Sequence, residues 1–213
     1  MNLANKLTIF RIILVFIILI IPFFNIQGDI LGIPITFFII DVIFIIASIT
    51  DKLDGYIARS RNQITTFGKF LDPIADKILV IISMMLLIEF GKIPSWIPAI
   101  IIMREFIVSG YRLIAVEKKG KVIAASVWGK LKTVTQMIAI MLAFIDKNPF
   151  GAILTMQLTG MEFAINLIVT LMMIICVIAT VFSGWDYIKS GKEMDKKLLC
   201  SLLLAAAFIG QAQ

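Results

Sequence analysis

"ASITDKLDGYIARSRNQITTFGKFLDPIADKILV", residues 47–80, carries Asp51, Asp54, Asp72 and Asp76 between long apolar runs. Asp51 and Asp54 stand three residues apart, and Asp72 and Asp76 four apart, so on helices each pair shares one face. One pair closes an apolar span and the other opens the next. A polar connection of roughly 15 residues lets the two faces meet. Pro73 either lies near the start of its helix or kinks it.

Four carboxylates in reach of one another cannot all stay ionised unaided. Two like charges about 5 Å apart repel by about 3 kcal/mol at an effective dielectric near 20. Either some are protonated, or divalent cations neutralise them. Ligation by carboxylates without His or Cys selects hard ions, Mg²⁺ or Mn²⁺, one or two of them. The alternative is structural: interfacial aspartates that cap helices and balance Lys52, Lys69 and Lys77. Gly55, directly after Asp54, and Gly68, four before Asp72, allow a ligand close to the backbone. Arg59 adds a planar fork for phosphate oxygens. Metal, small residues and arginine together make a diphosphate site. Helix packing for the glycines and a topological charge for Arg59 are the competing readings.

The surrounding composition is that of a membrane protein, with 60% of the 213 residues hydrophobic. The net charge is +6, with Lys and Arg gathered between the apolar runs, a topological pattern rather than a nucleic-acid surface. The chain has no histidine, which excludes Ser-His-Asp and Cys-His catalysis and His-ligated metals. Cys176 and Cys200 fit no metal or disulfide spacing, and Cys176 reads as packing. "GKLKT" at 129–133 lacks the glycine spacing of a phosphate loop.

Six runs are long enough to span a bilayer: 7–26, 32–50, 70–89, 95–116, 123–145 and 163–188. The expected fold is therefore an all-α integral membrane protein of six transmembrane helices, one domain over residues 1–190. Residues 191–213 form a tail without assigned role, either an interfacial helix or an appended extension. Basic residues alternate between the connections. Lys6 and Arg11, the segment from Lys52 to Lys77, the segment from Arg112 to Lys132, and Lys189 to Lys197 fall on one side. The other side has only Lys92 and Lys147. Both termini and the aspartates are thus expected on the cytoplasmic face of the cell membrane. No small-residue cleavage site follows the first run, which reads as a helix and not a secretory signal. Trp96 and Trp185 fit interfacial belts, and Trp128 an interface anchor.

Asp51-Lys-Leu-Asp54-Gly55-Tyr-Ile-Ala58-Arg59, eight residues, then Gly68-Lys-Phe-Leu-Asp72-Pro-Ile-Ala-Asp76 resembles the signature D-x-x-D-G-x-x-A-R-x8-G-x-x-x-D-x-x-x-D of the CDP-alcohol phosphotransferases. Every fixed position and gap agrees, and the six-span pattern resembles the family over about residues 1–190. The resemblance implies an enzyme that moves the phosphatidyl group of a CDP-linked lipid to an alcohol and releases CMP. It implies that Asp51, Asp54, Asp72 and Asp76 hold one or two Mg²⁺ or Mn²⁺ ions on the CDP diphosphate, and that Asp76 is the general base. Gly55, Ala58, Arg59 and Gly68 would line the CDP pocket, and the family's homodimers make a dimer the expected assembly.

"REFIVSGYR" at 104–112 and "SVWGKLKTVTQ" at 126–136 resemble the branch that uses CDP-diacylglycerol and sn-glycerol 3-phosphate, with Tyr111 a mild departure. Arg104 and Arg112 lie eight apart on one helical face, and Lys130 and Lys132 open the next span. Arg112, Lys130, Lys132 and Arg104 are the candidates for the acceptor phosphate, unless Arg104 pairs with Glu105 or another acid. Lys118, Lys119 and Lys121 read as topological and lipid-surface charges. "NLANKLTIFR" at 2–11 resembles the family's opening, with Ala4 in place of its proline. Asn5, Thr8 and Arg11 recur at i, i+3 and i+6, so a polar stripe either faces the nucleotide site or belongs to an interfacial helix.

The rival readings are less economical. A cation channel or transporter asks for acids through the membrane depth, yet these gather at one boundary. Prenyltransferases resemble longer bundles with repeated Asp-rich motifs. Within the family, inositol phosphate, serine or another alcohol is the competing acceptor.

Overall fold

The computed structural model describes residues 3–24, 26–30, 32–60, 66–119 and 127–190. Side chains are described for these except 3–4, 52–60, 66–70, 72, 111–119 and 187–190. The tail from 191 and the connection at 61–65 lie outside the described residues.

Seven helices are described: α1 (Leu3–Ile20), α2 (Ile35–Ser60), α3 (Thr66–Glu89), α4 (Trp96–Lys119), α5 (Val127–Ile145), α6 (Ala152–Thr155) and α7 (Gly160–Ser190). All but the four-residue α6 have 18 residues or more. Among the described residues, Asn5–Phe24 and Gly160–Asp186 are long and apolar enough to cross a membrane. The protein is mainly helical, consistent with an all-α membrane protein. The described residues also contain a two-stranded hairpin, β1 (Asp29–Ile30) antiparallel to β2 (Ile33–Pro34), with Asp29 opposite Pro34.

Two compact units divide the chain, Met1–Ser95 with Gln136–Met172, and Trp96–Thr135 with the chain from Met173. In the first unit, α1 packs on both α2 and α3. Leu14, Val15 and Ile18 are buried, whereas Ile13, Phe16, Ile17 and Ile20 stay exposed. An apolar surface left open on a helix this greasy suits lipid rather than water. Ile40, Phe44 and Ala47 of α2 and Leu79, Met84 and Leu87 of α3 are also core residues of this unit.

α2 and α3 are longer at the aspartate end than the hydropathy pattern predicts. α2 continues through Asp51 and Asp54 to Ser60, and α3 begins at Thr66. Both aspartate pairs therefore lie within helices, and the 15-residue connection shrinks to 61–65. Pro73 sits inside α3, where it leaves no N–H for the Lys69 carbonyl.

α3 ends at a glycine that its geometry requires. Gly91 takes φ +67°. Its N–H bonds Ile88 O at 2.9 Å and the Lys92 N–H bonds Leu87 O at 2.8 Å, the Schellman pairing. The next residue fastens this end of the unit. Lys92 donates to the Asp146 carbonyl at 2.5 Å and lies 5.1 Å from the Phe37 ring. Burial pulls the Lys92 ammonium below its ordinary pKa, and the Asp146 carboxylate opposes that. The buried Asn166 of α7 donates to Asp146 Oδ2 at 2.7 Å and Pro149 O at 2.9 Å, and accepts from Ile153 N at 3.1 Å. A polar side chain in an apolar helix is thereby satisfied by the α5–α6 connection and α6.

Candidate active site

Arg11 is an unusual residue for an apolar helix, and its surroundings explain how the fold carries it. Its side chain has no exposure, and Nη1 lies 2.8 Å from Asp51 Oδ1. A guanidinium taken out of water needs a counter-charge, and the first aspartate of the run on α2 supplies it. Asp51 keeps 35% exposure, so its carboxylate is paired without being sealed. Asn5 and Thr8, about two turns and one turn before Arg11, are buried too. The polar stripe of α1 thus faces into its unit, not along a membrane surface.

α3 supplies the other carboxylate of the 51–76 run whose side chain is described. Asp76 is half-buried, one residue past the fully buried Ala75. Asp54, Gly55, Ala58 and Arg59 occupy helical positions on α2, and Gly68 and Asp72 on α3; their side chains lie outside those described. Among the described residues, no three Asp, Glu, His or Cys side chains gather as a metal set.

The second unit holds a separate charged cluster. Glu105 Oε1 accepts from Arg104 Nη1 at 2.9 Å and from Lys132 Nζ at 2.5 Å. Arg104 Nη2 also donates to Ser183 Oγ of α7. Lys132 has 7% exposure, Arg104 12% and Glu105 21%. Three charges are therefore held together with little water, where their interactions are strongest. Lys130, two residues from Lys132, is exposed. The Arg112 side chain lies outside those described. Trp128 stacks on Phe182 of α7 with ring centroids 5.0 Å apart. Cys176 is fully buried, as a packing residue would be.

The Arg104–Glu105 pair is the alternative that the sequence offered for Arg104, and the structure shows it; the bond of Glu105 to Lys132 is what sequence reading did not foresee. Its signal in the sequence was the Arg-Glu pair itself: an acid on an otherwise basic stretch, four residues before Ser109 on the same helical face.

Comparison with known proteins places this sequence in a family. The profile described as CDP-alcohol phosphatidyltransferase matches residues 1–183. The chain belongs to the CDP-alcohol phosphatidyltransferase family. It is 40% identical over 200 residues to the CDP-diacylglycerol–glycerol-3-phosphate 3-phosphatidyltransferase of Bacillus subtilis, covering 92% of this chain and 97% of that one. The Haemophilus influenzae protein of the same name is 40% identical over 196 residues, 90% of this chain and 94% of its own. The Escherichia coli K12 protein, also so named, is 42% identical over 146 residues, 65% of this chain and 74% of its own. Arg11 and the 51–76 run all lie inside the residues that the family profile matches.

Proposed function

We propose that this member of the family transfers the phosphatidyl group of CDP-diacylglycerol to sn-glycerol 3-phosphate, giving phosphatidylglycerophosphate and CMP. The observation that carries the reading is near full-length identity of 40% to an enzyme named for that reaction. The complete aspartate run and the part-buried Arg104–Glu105–Lys132 cluster support it.

The chemistry follows from the donors present. An acceptor hydroxyl oxygen attacks the phosphorus that bears the diacylglycerol, that phosphorus parts from the bridging oxygen, and CMP leaves with the electron pair. Asp76 receives the hydroxyl proton, a role suited to a half-buried carboxylate at the edge of a core. Asp51, Asp54, Asp72 and Asp76 would hold one or two Mg²⁺ or Mn²⁺ ions, and the fit rests on an all-oxygen donor set in a chain without histidine. When bound, such an ion supplies charge neutralisation on the diphosphate oxygens. Arg11 pairs with the Asp51 carboxylate and orients it. Asn5, Thr8, Gly55, Ala58, Arg59 and Gly68 bind the CDP portion in this reading. Arg104, Arg112, Lys130 and Lys132 take the acceptor phosphate.

Six membrane-crossing helices, α1 to α5 and α7, fit the same reading, with both termini and the aspartates cytoplasmic and a homodimer as the working assembly. The basic residues support that orientation.

The test is CMP release by the purified protein in detergent, with CDP-diacylglycerol, Mg²⁺ or Mn²⁺ and a panel of alcohols. Turnover with glycerol 3-phosphate that stops on chelation is expected. Turnover only with inositol phosphate, serine or another alcohol overturns the acceptor, and turnover insensitive to chelators overturns the metal.

A further inference from the structure

We propose that Glu105 is the positioning residue of the acceptor site, holding Lys132 and Arg104 as a pair for the phosphate of the acceptor. The inference rests on the acceptor reading above and adds a residue to it.

A dianionic phosphate is best met by two cations close together, and two cations held with little water repel. Glu105 resolves the conflict by geometry, because one oxygen, Oε1, accepts from both Arg104 Nη1 and Lys132 Nζ. The two nitrogens are thus bonded to the same atom, a separation that one phosphate can span. Each cation comes from a different helix, Arg104 from α4 and Lys132 from α5, so the carboxylate also sets their register. Ser183 of α7 fixes the other arm of the Arg104 fork. An ammonium has three donors and a guanidinium five, so a shared carboxylate orients them without consuming them all.

A carboxylate that only balances charge predicts something different. It would be replaceable by any nearby acid, and its loss would lower stability without favouring one substrate. Positioning instead predicts a defect confined to the acceptor.

The experiment uses the full chain in detergent, with steady-state kinetics for both substrates. Glu105→Gln keeps the size of the side chain and loses its charge. We expect it to raise the KM for glycerol 3-phosphate about tenfold, with the KM for CDP-diacylglycerol unchanged. Combined with Lys132→Met, it should add little to the defect of Lys132→Met alone, since both remove one interaction. Glu105→Asp retains the charge but withdraws the carboxylate by one methylene. It should fold and still raise the KM for glycerol 3-phosphate. A second readout avoids turnover: glycerol 3-phosphate should bind more weakly to Asp76→Asn/Glu105→Gln than to Asp76→Asn alone. An unchanged KM in both Glu105 variants, equal effects on both substrates, or independent effects of Glu105→Gln and Lys132→Met would overturn the proposal. Wild-type turnover separates the two layers. If the wild type does not use glycerol 3-phosphate, the acceptor reading fails as well; if it does, only the role of Glu105 is at stake.

Discussion

The Arg11 guanidinium, with no exposed surface, holds an oxygen of Asp51 at 2.8 Å. α1 is thereby tied to the aspartate run by a charge that the membrane-like surroundings make costly to strand. Arg11→Met leaves Asp51 without this partner and removes a buried cation with it. The expected loss is about 2 kcal/mol of stability, less than for a fully buried pair because Asp51 is partly exposed. CMP release should fall at least about tenfold, and Arg11→Lys, which keeps the charge but not the planar fork, should fall less. Thermal midpoints in detergent and activity per folded molecule check this. A wild-type midpoint and rate in Arg11→Met would remove Arg11 from the site.

Asp76→Asn should abolish turnover by a factor of about 10² to 10⁴, the usual contribution of a general base. Asparagine is nearly isosteric, so the thermal midpoint should stay near that of the wild type. The two measurements belong together. A large drop in midpoint alongside the rate would assign Asp76 to structure, whereas full activity would leave proton abstraction to another group.

The six long helices and both aspartate pairs were legible because apolar runs and short-range spacing survive in one dimension. The ends of α2 and α3 were not. Hydropathy falls at Asp51, yet α2 continues to Ser60, because charge marks where a helix leaves lipid and not where its hydrogen bonding ends. The pairing of Glu105 with Lys132 escaped for another reason: the two are 27 residues apart on different helices, and only packing makes one carboxylate oxygen common to two cations. The partners of Asp146 and Asn166 were hidden likewise, since they join a loop to a helix 20 residues further on.

Asp41 of α2 is buried at 3% exposure, and its Oδ1 has no hydrogen-bond partner among the described residues. An unmet buried oxygen costs about 1–3 kcal/mol. Asp41→Leu should therefore leave the thermal midpoint unchanged or raise it by a few degrees, with activity per folded molecule retained. A lower midpoint would show that the carboxyl is bonded in the detergent-solubilised protein.

Asn166 presents the opposite case, a buried polar group with each amide arm engaged. Asn166→Leu fills the space but strips donors from Asp146 Oδ2 and Pro149 O and an acceptor from Ile153 N. Because those partners stay behind in a water-poor setting, the expected cost is about 2–4 kcal/mol. Asn166→Asp should also be destabilising, since it sets a second carboxylate 2.7 Å from that of Asp146. The measurement is the thermal midpoint of each variant in the same detergent. Kinetic constants for glycerol 3-phosphate should be unchanged in the molecules that remain folded, because Asn166 belongs to a different unit from the Glu105 cluster. Either variant matching the wild-type midpoint would mean that water satisfies this end of the fold, and that the Asp146–Asn166 bond contributes nothing net to its stability.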